Sequence, residues 1–275
     1  MSNRFALPFA LTLLATAGCQ SPEPEEADAP ATEPATDAAT DFISRIESAH
    51  AAEVWHGKEG FQSDIVVRFG GNAIVEGRML ITPSMSRTRI ELASGPVVVW
   101  DGEQVWVSPA GAEFPEARFH ALTWPYFLSV PMKLRDPGAR VESQGAKQLR
   151  GESFDTAKLT FDAAVGDTPD DWYVLYRNPG SGRLAAMAYI VTFGKNREEA
   201  EKEPHAVTYD EFVEVEGVPI PTKWTYWMWN QEEGIYGEPI GEVALTNPEF
   251  VTPEATAFVL PEDRRQEAMP GETRQ

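Results

Sequence analysis

The chain has 275 residues, a formal net charge of −20 at pH 7, one cysteine and 11% aromatic residues. The excess of acidic residues argues against binding to nucleic acid and against electrostatic docking on anionic lipid. A single cysteine excludes an internal disulfide bond. The length fits one domain with a large hydrophobic core.

The N-terminus has the pattern of a targeting segment. Arg4 precedes an apolar run at residues 5–17, which has the length of a secretory signal core and is too short to span a membrane. Small residues before Cys19 resemble the lipobox of bacterial lipoproteins, with Thr16 in place of the usual leucine. The resemblance implies a signal peptide at residues 1–18 and a cysteine that carries the acyl chains of a membrane anchor. The alternative is a secreted protein with a free thiol.

The residues after the cysteine predict where the anchor lies. Gln20 stands where aspartate would retain a Gram-negative lipoprotein at the inner membrane. The resemblance therefore implies a bacterial envelope protein at the outer membrane, facing the periplasm. Residues 19–40 are rich in Pro, Ala, Thr and acidic residues, which predicts a disordered tether. The folded domain is predicted at residues 41–262, followed by a polar tail at 263–275.

An amphipathic helix is predicted over residues 37–52, where apolar side chains recur at helical spacing. His50 and His56 lie within it or just after it. Their spacing fits no metal signature, so we predict neither a metal site nor a cofactor.

Most of the chain after residue 60 alternates apolar and polar residues with a period of two, which predicts β-strands. Short turns containing Gly, Asn or Asp separate about a dozen such runs. A long antiparallel meander curls, because sheets twist and open edges invite further pairing. We therefore predict a mainly β fold, a half-open antiparallel β-barrel of about a dozen strands, with an N-terminal helix and a short helical plug or lid.

The strongest hairpin signal is Asp101-Gly102, which lies between two apolar runs. A two-residue turn would pair Trp100 with Glu103. Apolar side chains then lie on both faces of the hairpin, so both faces should be covered.

Residues 120–134 do not alternate. They are apolar almost throughout and are interrupted by two prolines. Thr123 can cap a short helix with Pro125 in its first turn, and Pro131 would end that helix. We expect this segment to lie against the concave face of the sheet as a plug or lid. An ordinary core-covering helix is the alternative.

Residues 222–230 carry aromatic side chains on both faces of a predicted strand. Trp224 and Tyr226 point one way, whereas Trp227 and Trp229 point the other way. Either both faces are covered or one face lines an apolar cavity, and the pattern leaves the two alternatives open.

No catalytic motif is present: the chain lacks a nucleophile elbow, a P-loop, a dinucleotide fingerprint and a zinc-protease motif. Adjacent acids such as Asp170 and Asp171 would point to opposite faces of a strand, which makes a poor acid–base pair. His205 or His120 could serve a hydrolase as a general base, but a lone histidine is more often structural. We predict no catalytic residue.

Residues 77–108 resemble the LolA family of periplasmic lipoprotein carriers. The resemblance lies in Pro83 followed by arginine, and in an Asp101-Gly102 hairpin with Trp106 shortly after it. It implies an unclosed antiparallel barrel with a helical lid over a hydrophobic cavity that takes acyl chains. Other stretches, at 120–138, 170–193 and 204–234, resemble an uncharacterised family of envelope lipoproteins with the same barrel.

The LolA resemblance also implies a residue that holds the lid. The family arginine that hydrogen-bonds the lid corresponds to Arg87 or Arg89. An anchored protein cannot ferry cargo freely, so the chain looks closer to an anchored receptor, such as LolB, or to a sensor on the same fold.

We therefore expect a non-catalytic, lipid-anchored envelope protein that binds an apolar ligand, either a lipid or an acylated protein. Its expected partners are the membrane, through Cys19, and this ligand or a lipoprotein. Six aromatic residues are expected to line the cavity: Trp100, Trp106, Trp124, Phe127, Trp224 and Tyr226. The alternative is an interaction or sensor protein whose own plug fills the core. The oligomeric state stays open.

Overall fold

The computed structural model describes residues 35–269 of the chain. The predicted signal peptide, Cys19 and the tether up to residue 34 lie outside the described residues, as do residues 270–275. The lipid anchor and its membrane location therefore stay predictions.

Two helices open the described part of the chain. Helix α1 spans Ala35–Ala49 and begins within the stretch predicted as a tether, and helix α2 spans Ala52–His56. The prediction of one helix over residues 37–52 was wrong, because Ala51 adopts a left-handed conformation with φ 51° between the two helices. Trp55 of α2 is fully buried in the main hydrophobic cluster, which fixes α2 against the domain.

The rest of the domain is mainly one antiparallel sheet of thirteen strands, which confirms the predicted fold class. The strands are β1 Gly60–Phe69, β2 Asn72–Ile81, β3 Thr88–Leu92, β4 Val97–Trp100, β5 Val105–Ser108, β6 Ala139–Leu149, β7 Glu152–Phe161, β8 Tyr173–Arg177, β9 Leu184–Tyr189, β10 His205–Val215, β11 Val218–Asn230, β12 Gly234–Val251 and β13 Arg265–Glu267. A one-turn helix, α4 (Arg197–Ala200), lies between β9 and β10.

The strand order shows how the chain runs through the sheet. The order is β13-β5-β4-β3-β2-β1-β12-β11-β10-β9-β8-β7-β6. The chain starts in the middle at β1, runs outward to β5, crosses to the far edge at β6 and returns inward to β12, which pairs with β1. Among the described strands, β13 and β6 form the two edges and do not pair with each other, so the barrel is half-open.

Helix α3, Ala117–Ser129, makes the crossing between β5 and β6, and a 3₁₀ helix, Val130–Met132, follows it. The ring of Trp124 lies 6.4 Å from Phe69 of β1, and the ring of Tyr126 lies 6.3 Å from Phe161 of β7. One short helix can contact strands so far apart in the sheet only if the sheet curls around it. The predicted plug therefore lies on the concave face.

The details of α3 differ from the prediction. The helix begins at Ala117, so Thr123 lies in its interior and does not cap it. Pro125 is likewise interior, where its ring nitrogen cannot donate to the carbonyl of Ala121. Burial on most sides of the helix offsets this lost hydrogen bond. The α-helix ends before Pro131, as predicted.

The β4–β5 hairpin has a four-residue loop, and the predicted two-residue turn was wrong. Trp100 pairs with Val105. The carboxylate of Asp101 accepts hydrogen bonds from the backbone N–H groups of Glu103 and Gln104, at 2.9 and 2.8 Å, which stabilises the longer loop. The register is shifted by two residues, and a shift of two leaves each side chain on its predicted face.

Both faces of β11 are covered, which resolves the alternative that the sequence left open. Trp224 and Tyr226 lie in the main hydrophobic cluster on the concave face. Trp227 and Trp229 lie in a second cluster on the other face, where the indole N–H of Trp229 donates to the hydroxyl of Tyr176 at 3.1 Å. The sheet thus carries a core on each side in this region.

The C-terminal segment adds a strand that the sequence pattern does not predict. Strand β13 pairs with β5, and the side chain of Arg265 donates to the carbonyls of Ala110 and Ala112 at 3.0 and 2.6 Å. The residues of β13 are polar, so the pairing rests on backbone hydrogen bonds to β5 and on the side-chain contacts of Arg265. The sheet therefore extends past the predicted domain boundary at residue 262.

The described residues contain no helix that combines the length and the apolar character needed to cross a membrane.

Gly77 in β2 provides a test of the sheet packing. A Cβ atom at this position would lie 2.1 Å from the carbonyl oxygen of Glu91 and 2.9 Å from the Cα of Leu92. Gly77→Ala should therefore lower the free energy of unfolding by about 1–3 kcal/mol, measured by urea denaturation. Gly111→Ala is the control, because no heavy atom lies within 4 Å of its added Cβ. Equal stability of the two variants would contradict the observed β2–β3 pairing.

Candidate functional site

A cavity of about 290 Å³ lies between α3 and the strands opposite it. Phe119, Leu122 and Tyr126 of α3 form one wall, and strands β8 and β9 contribute to the other. The rim reaches the surface at the exposed Gly166. The volume is near the lower end for sites that hold small molecules. The cavity is therefore a candidate binding site in the half-open barrel.

Arg118 fastens the start of α3 to the rim of this cavity. Its Nε and Nη2 atoms donate to the two carboxylate oxygens of Asp167, at 2.6 and 2.9 Å. The guanidinium also lies over the ring of Trp100, 5.4 Å from the ring centre. A bidentate ion pair fixes the orientation of the guanidinium as well as its distance from the carboxylate. The pair sets the position of the helix where it enters the barrel.

Hydrogen bonds to backbone carbonyls fasten the other end of the lid. The hydroxyl of Tyr209 donates to the carbonyl of Phe127 at 2.9 Å, inside the barrel. The Nε2 of His56 donates to the carbonyl of Met132 at 2.9 Å. The Nζ of Lys133 donates to the carbonyl of Ser84 at 3.2 Å. Residues from α2, β10 and the β2–β3 loop therefore hold the lid in place.

The resemblance assigned this lid-holding role to Arg87 or Arg89, and neither side chain is hydrogen-bonded to the lid within residues 35–269. Arg89 bonds Glu91 on its own strand, at 2.7 Å. Arg87 is exposed, and the described residues show no hydrogen bond from its side chain to the lid. The comparable hydrogen bonds come from Arg118 on the lid itself. Its partner Asp167 lies 49 residues away, so no local pattern pointed to it.

Two of the six aromatic residues predicted to bind ligand, Trp100 and Phe127, line the cavity. Three others, Trp124 of α3 and Trp224 and Tyr226 of β11, are buried in the main hydrophobic cluster.

Trp106 lies on the opposite face of the sheet from the cavity. Its indole N–H donates to the carboxylate of Asp101 at 2.7 Å, and the guanidinium of Arg264 lies 5.1 Å from its ring centre. The alternation along β5 places Trp106 on the face opposite to the buried Val105 and Val107.

Other aromatic residues line the cavity that sequence reasoning did not select. Tyr173 of β8 pairs with Tyr189 of β9, and Tyr126 of α3 packs 5.6 Å from the ring of Tyr173. Phe119 packs 5.5 Å from Phe193 at the same side of the helix. The register of the β8–β9 hairpin would have placed the two tyrosines together, but the position of α3 against them depends on the tertiary fold.

Polar groups also reach the lining. Burial raises the pKa values of Tyr173 and Tyr189 above the ordinary range, so both are neutral phenols. Asp171 lines the cavity and accepts hydrogen bonds from the backbone N–H and the hydroxyl of Thr192, at 2.7 and 2.8 Å. Burial raises the pKa of Asp171, and the bonds from threonine partly counter it.

The two histidines considered as general bases have structural contacts. His120 is buried, and its Nδ1 accepts a hydrogen bond from the indole of Trp124 at 3.2 Å. His205 is half-buried, with its ring 6.1 Å from that of Tyr189. Neither ring is hydrogen-bonded to a carboxylate within residues 35–269. In the same range, no three His, Cys, Asp or Glu side chains converge as a metal site.

Residues 117–234 match the family model DUF6503, a family of unknown function. The match begins with α3 and ends at the start of β12, so it contains the lid and the tyrosine wall. No curated protein matches the chain.

Solved structures show which fold the chain shares. A LolA superfamily protein from Nitrosomonas europaea superposes with a TM-score of 0.53 at 11% identity, covering 81% of this chain and 97% of that one. A DUF1329 family protein from Desulfovibrio piger gives a TM-score of 0.48 at 10% identity, covering 83% and 98%. The first likeness confirms the LolA-like fold that residues 77–108 indicated.

The Arg118–Asp167 pair should hold the lid more strongly than the Arg89–Glu91 pair. The side chains are 8% and 17% exposed in the first pair, against 20% and 53% in the second. Arg118→Gln should cost about 1–3 kcal/mol and speed hydrogen exchange in α3, because it leaves a half-buried carboxylate without its partner. Arg89→Gln should cost less than about 1 kcal/mol and leave exchange in α3 unchanged. The reverse ranking would restore the lid-holding role to Arg89.

Acid should weaken the fold through buried histidines. Burial lowers the pKa of His50 to about 3 and that of His120 to about 4, whereas the unfolded chain takes up these protons near pH 6.5. Their contribution to stability is therefore complete above pH 6.5 and is lost as the pH falls, by about 1.4 kcal/mol per unit for each histidine. His120→Gln should flatten the dependence between pH 6.5 and 4, measured by urea denaturation. An unchanged slope would contradict the neutral, buried state of His120.

Proposed function

We propose that this protein binds an apolar ligand in the cavity beside α3, without catalysing a reaction. The observation that carries the proposal is the cavity of about 290 Å³, walled by Phe119, Tyr126, Tyr173 and other aromatic residues. Protein interiors are close-packed, and voids larger than a water molecule are few. An aromatic cavity of this size at the edge of a packed core is therefore a binding site by default.

The shared fold supports a role in handling lipids or lipoproteins. The LolA-like half-barrel has a concave face that the chain covers with one helix, and the cavity lies where that helix leaves the face incompletely filled. An acyl chain or a similar apolar body entering there would gain about 25 cal/mol for each Å² removed from water.

The predicted anchor gives the proposal its location. Acylated Cys19 and the acidic tether would hold the domain at the outer membrane, facing the periplasm, within reach of envelope lipids. A protein fixed in this way cannot carry its ligand across the periplasm. It would serve instead as a receptor that takes a lipid or an acylated protein at the membrane.

A second candidate is an interaction or sensor protein whose own plug fills the barrel. The packing of Trp124 against Tyr226, with ring centres 6.2 Å apart, favours it, because this part of the concave face is solid. In that case the cavity is a packing defect, and the partner binds elsewhere.

Ligand uptake by the full-length mature protein separates the two candidates. After delipidation, native mass spectrometry should show one bound lipid, and Leu122→Trp should abolish uptake because the larger side chain enters the cavity. Val213→Trp is the matched control: Val213 is 41% exposed and lies outside the cavity lining, so uptake should persist. Absence of uptake across all lipid classes would leave only the self-filled core.

A further inference from the structure

We propose that the ligand carries a hydrogen-bond-donating head group, an alcohol or an amine, and that the cavity disfavours a carboxylate in that position. This inference rests on the proposed function and adds the polar chemistry of the ligand. It comes from three polar side chains, Tyr173, Tyr189 and Asp171, which line the same cavity.

The two tyrosine hydroxyls lack a protein partner. Tyr173 and Tyr189 are each only 6% exposed, and neither hydroxyl has a hydrogen-bond partner among the described residues. Unlike the hydroxyl of Tyr226, which is wholly enclosed without a partner, these two hydroxyls keep some exposure at the cavity. Buried tyrosine hydroxyls normally find a partner, as that of Tyr209 does at the carbonyl of Phe127. Because both rings line the cavity and pair across β8 and β9, a bound molecule can supply the missing partner.

Asp171 sets the sign of charge beside these hydroxyls. Its side chain is 6% exposed, and the described residues include no Lys, Arg or His in an ion pair with it. Thr192 donates twice to its Oδ1 and the side chain of Thr168 also bonds the carboxylate, while a carboxylate can accept about four hydrogen bonds. The carboxylate therefore has capacity for a further donor.

The other charges at the cavity are already paired. Asp167 is bound by Arg118 on the rim. Lys133 is bound by Asp136 and by the carbonyl of Ser84. The charge without an ionic partner at the tyrosine wall is thus the negative charge of Asp171.

This arrangement discriminates between head groups. An alcohol can donate to Asp171 and accept from a tyrosine hydroxyl, and an ammonium group also gains attraction to the carboxylate. A carboxylate head group could accept from the tyrosines, but a second negative charge beside Asp171 is repelled by it. The ligand class is therefore an apolar body that ends in a donor.

The test compares three probes with the same ten-carbon body: decanol, decylamine and decanoate. Binding to the full-length mature protein is measured at neutral pH by native mass spectrometry and by calorimetry. Decanol and decylamine should bind at least about tenfold more tightly than decanoate, a difference of about 1.4 kcal/mol. Equal affinities, or preference for decanoate, would overturn the inference while leaving the proposed function intact. Failure of all three probes to bind would overturn both.

Variants identify which side chains discriminate between the head groups of the probes. Asp171→Asn keeps an oxygen for the Thr192 N–H but removes the charge, so the preference for decylamine over decanoate should largely disappear. Asp170→Asn is the matched control, because its side chain is exposed and outside the lining. The double change Tyr173→Phe and Tyr189→Phe keeps both rings and should weaken decanol binding about tenfold. If the preference survives in Asp171→Asn and decanol binding is unchanged in the double Phe variant, these three side chains do not recognise the head group and the inference is overturned.

Discussion

The structure depends on one constraint: a chain that starts in the middle of a sheet must cross from one edge to the other before it can return. The β1–β12 pairing joins the two halves, and α3 makes the crossing. The crossing is stable only if the helix is buried, and it is buried only if the sheet curls around it. Curvature, lid and half-open barrel are therefore consequences of a single strand order.

The same helix acts both as core and as cavity wall. Trp124 faces the packed centre, where Tyr226 and Phe69 meet it, whereas Leu122 and Tyr126 face the open space. Pro125 lies in the middle of the helix and is buried. The two interpretations of this segment, a core-covering helix and a lid, thus describe two sides of one element.

Polar contacts hold the helix at both ends of this arrangement. Arg118 bonds Asp167 at the rim, and Tyr209 bonds the carbonyl of Phe127 in the interior. A ligand that enters beside α3 therefore meets a wall fixed in position, which favours a site formed before binding over one that forms around its ligand. Under the proposed function, this rigidity would let the protein select its ligand by shape and by the few polar groups in the lining.

The sequence by itself determined the strand pattern, because alternation and turn residues act over a few neighbouring positions. The predicted aromatic strand at residues 222–230 lies within β11, and both faces of β4 and β5 are apolar as expected even though the register differs by two residues. Only the tertiary structure decided which groups face the cavity. Arg118 bonds Asp167, which lies 49 residues further along the chain, and the Tyr173–Tyr189 pair packs against α3. The curl of the sheet brings these segments together, and no local periodicity relates them.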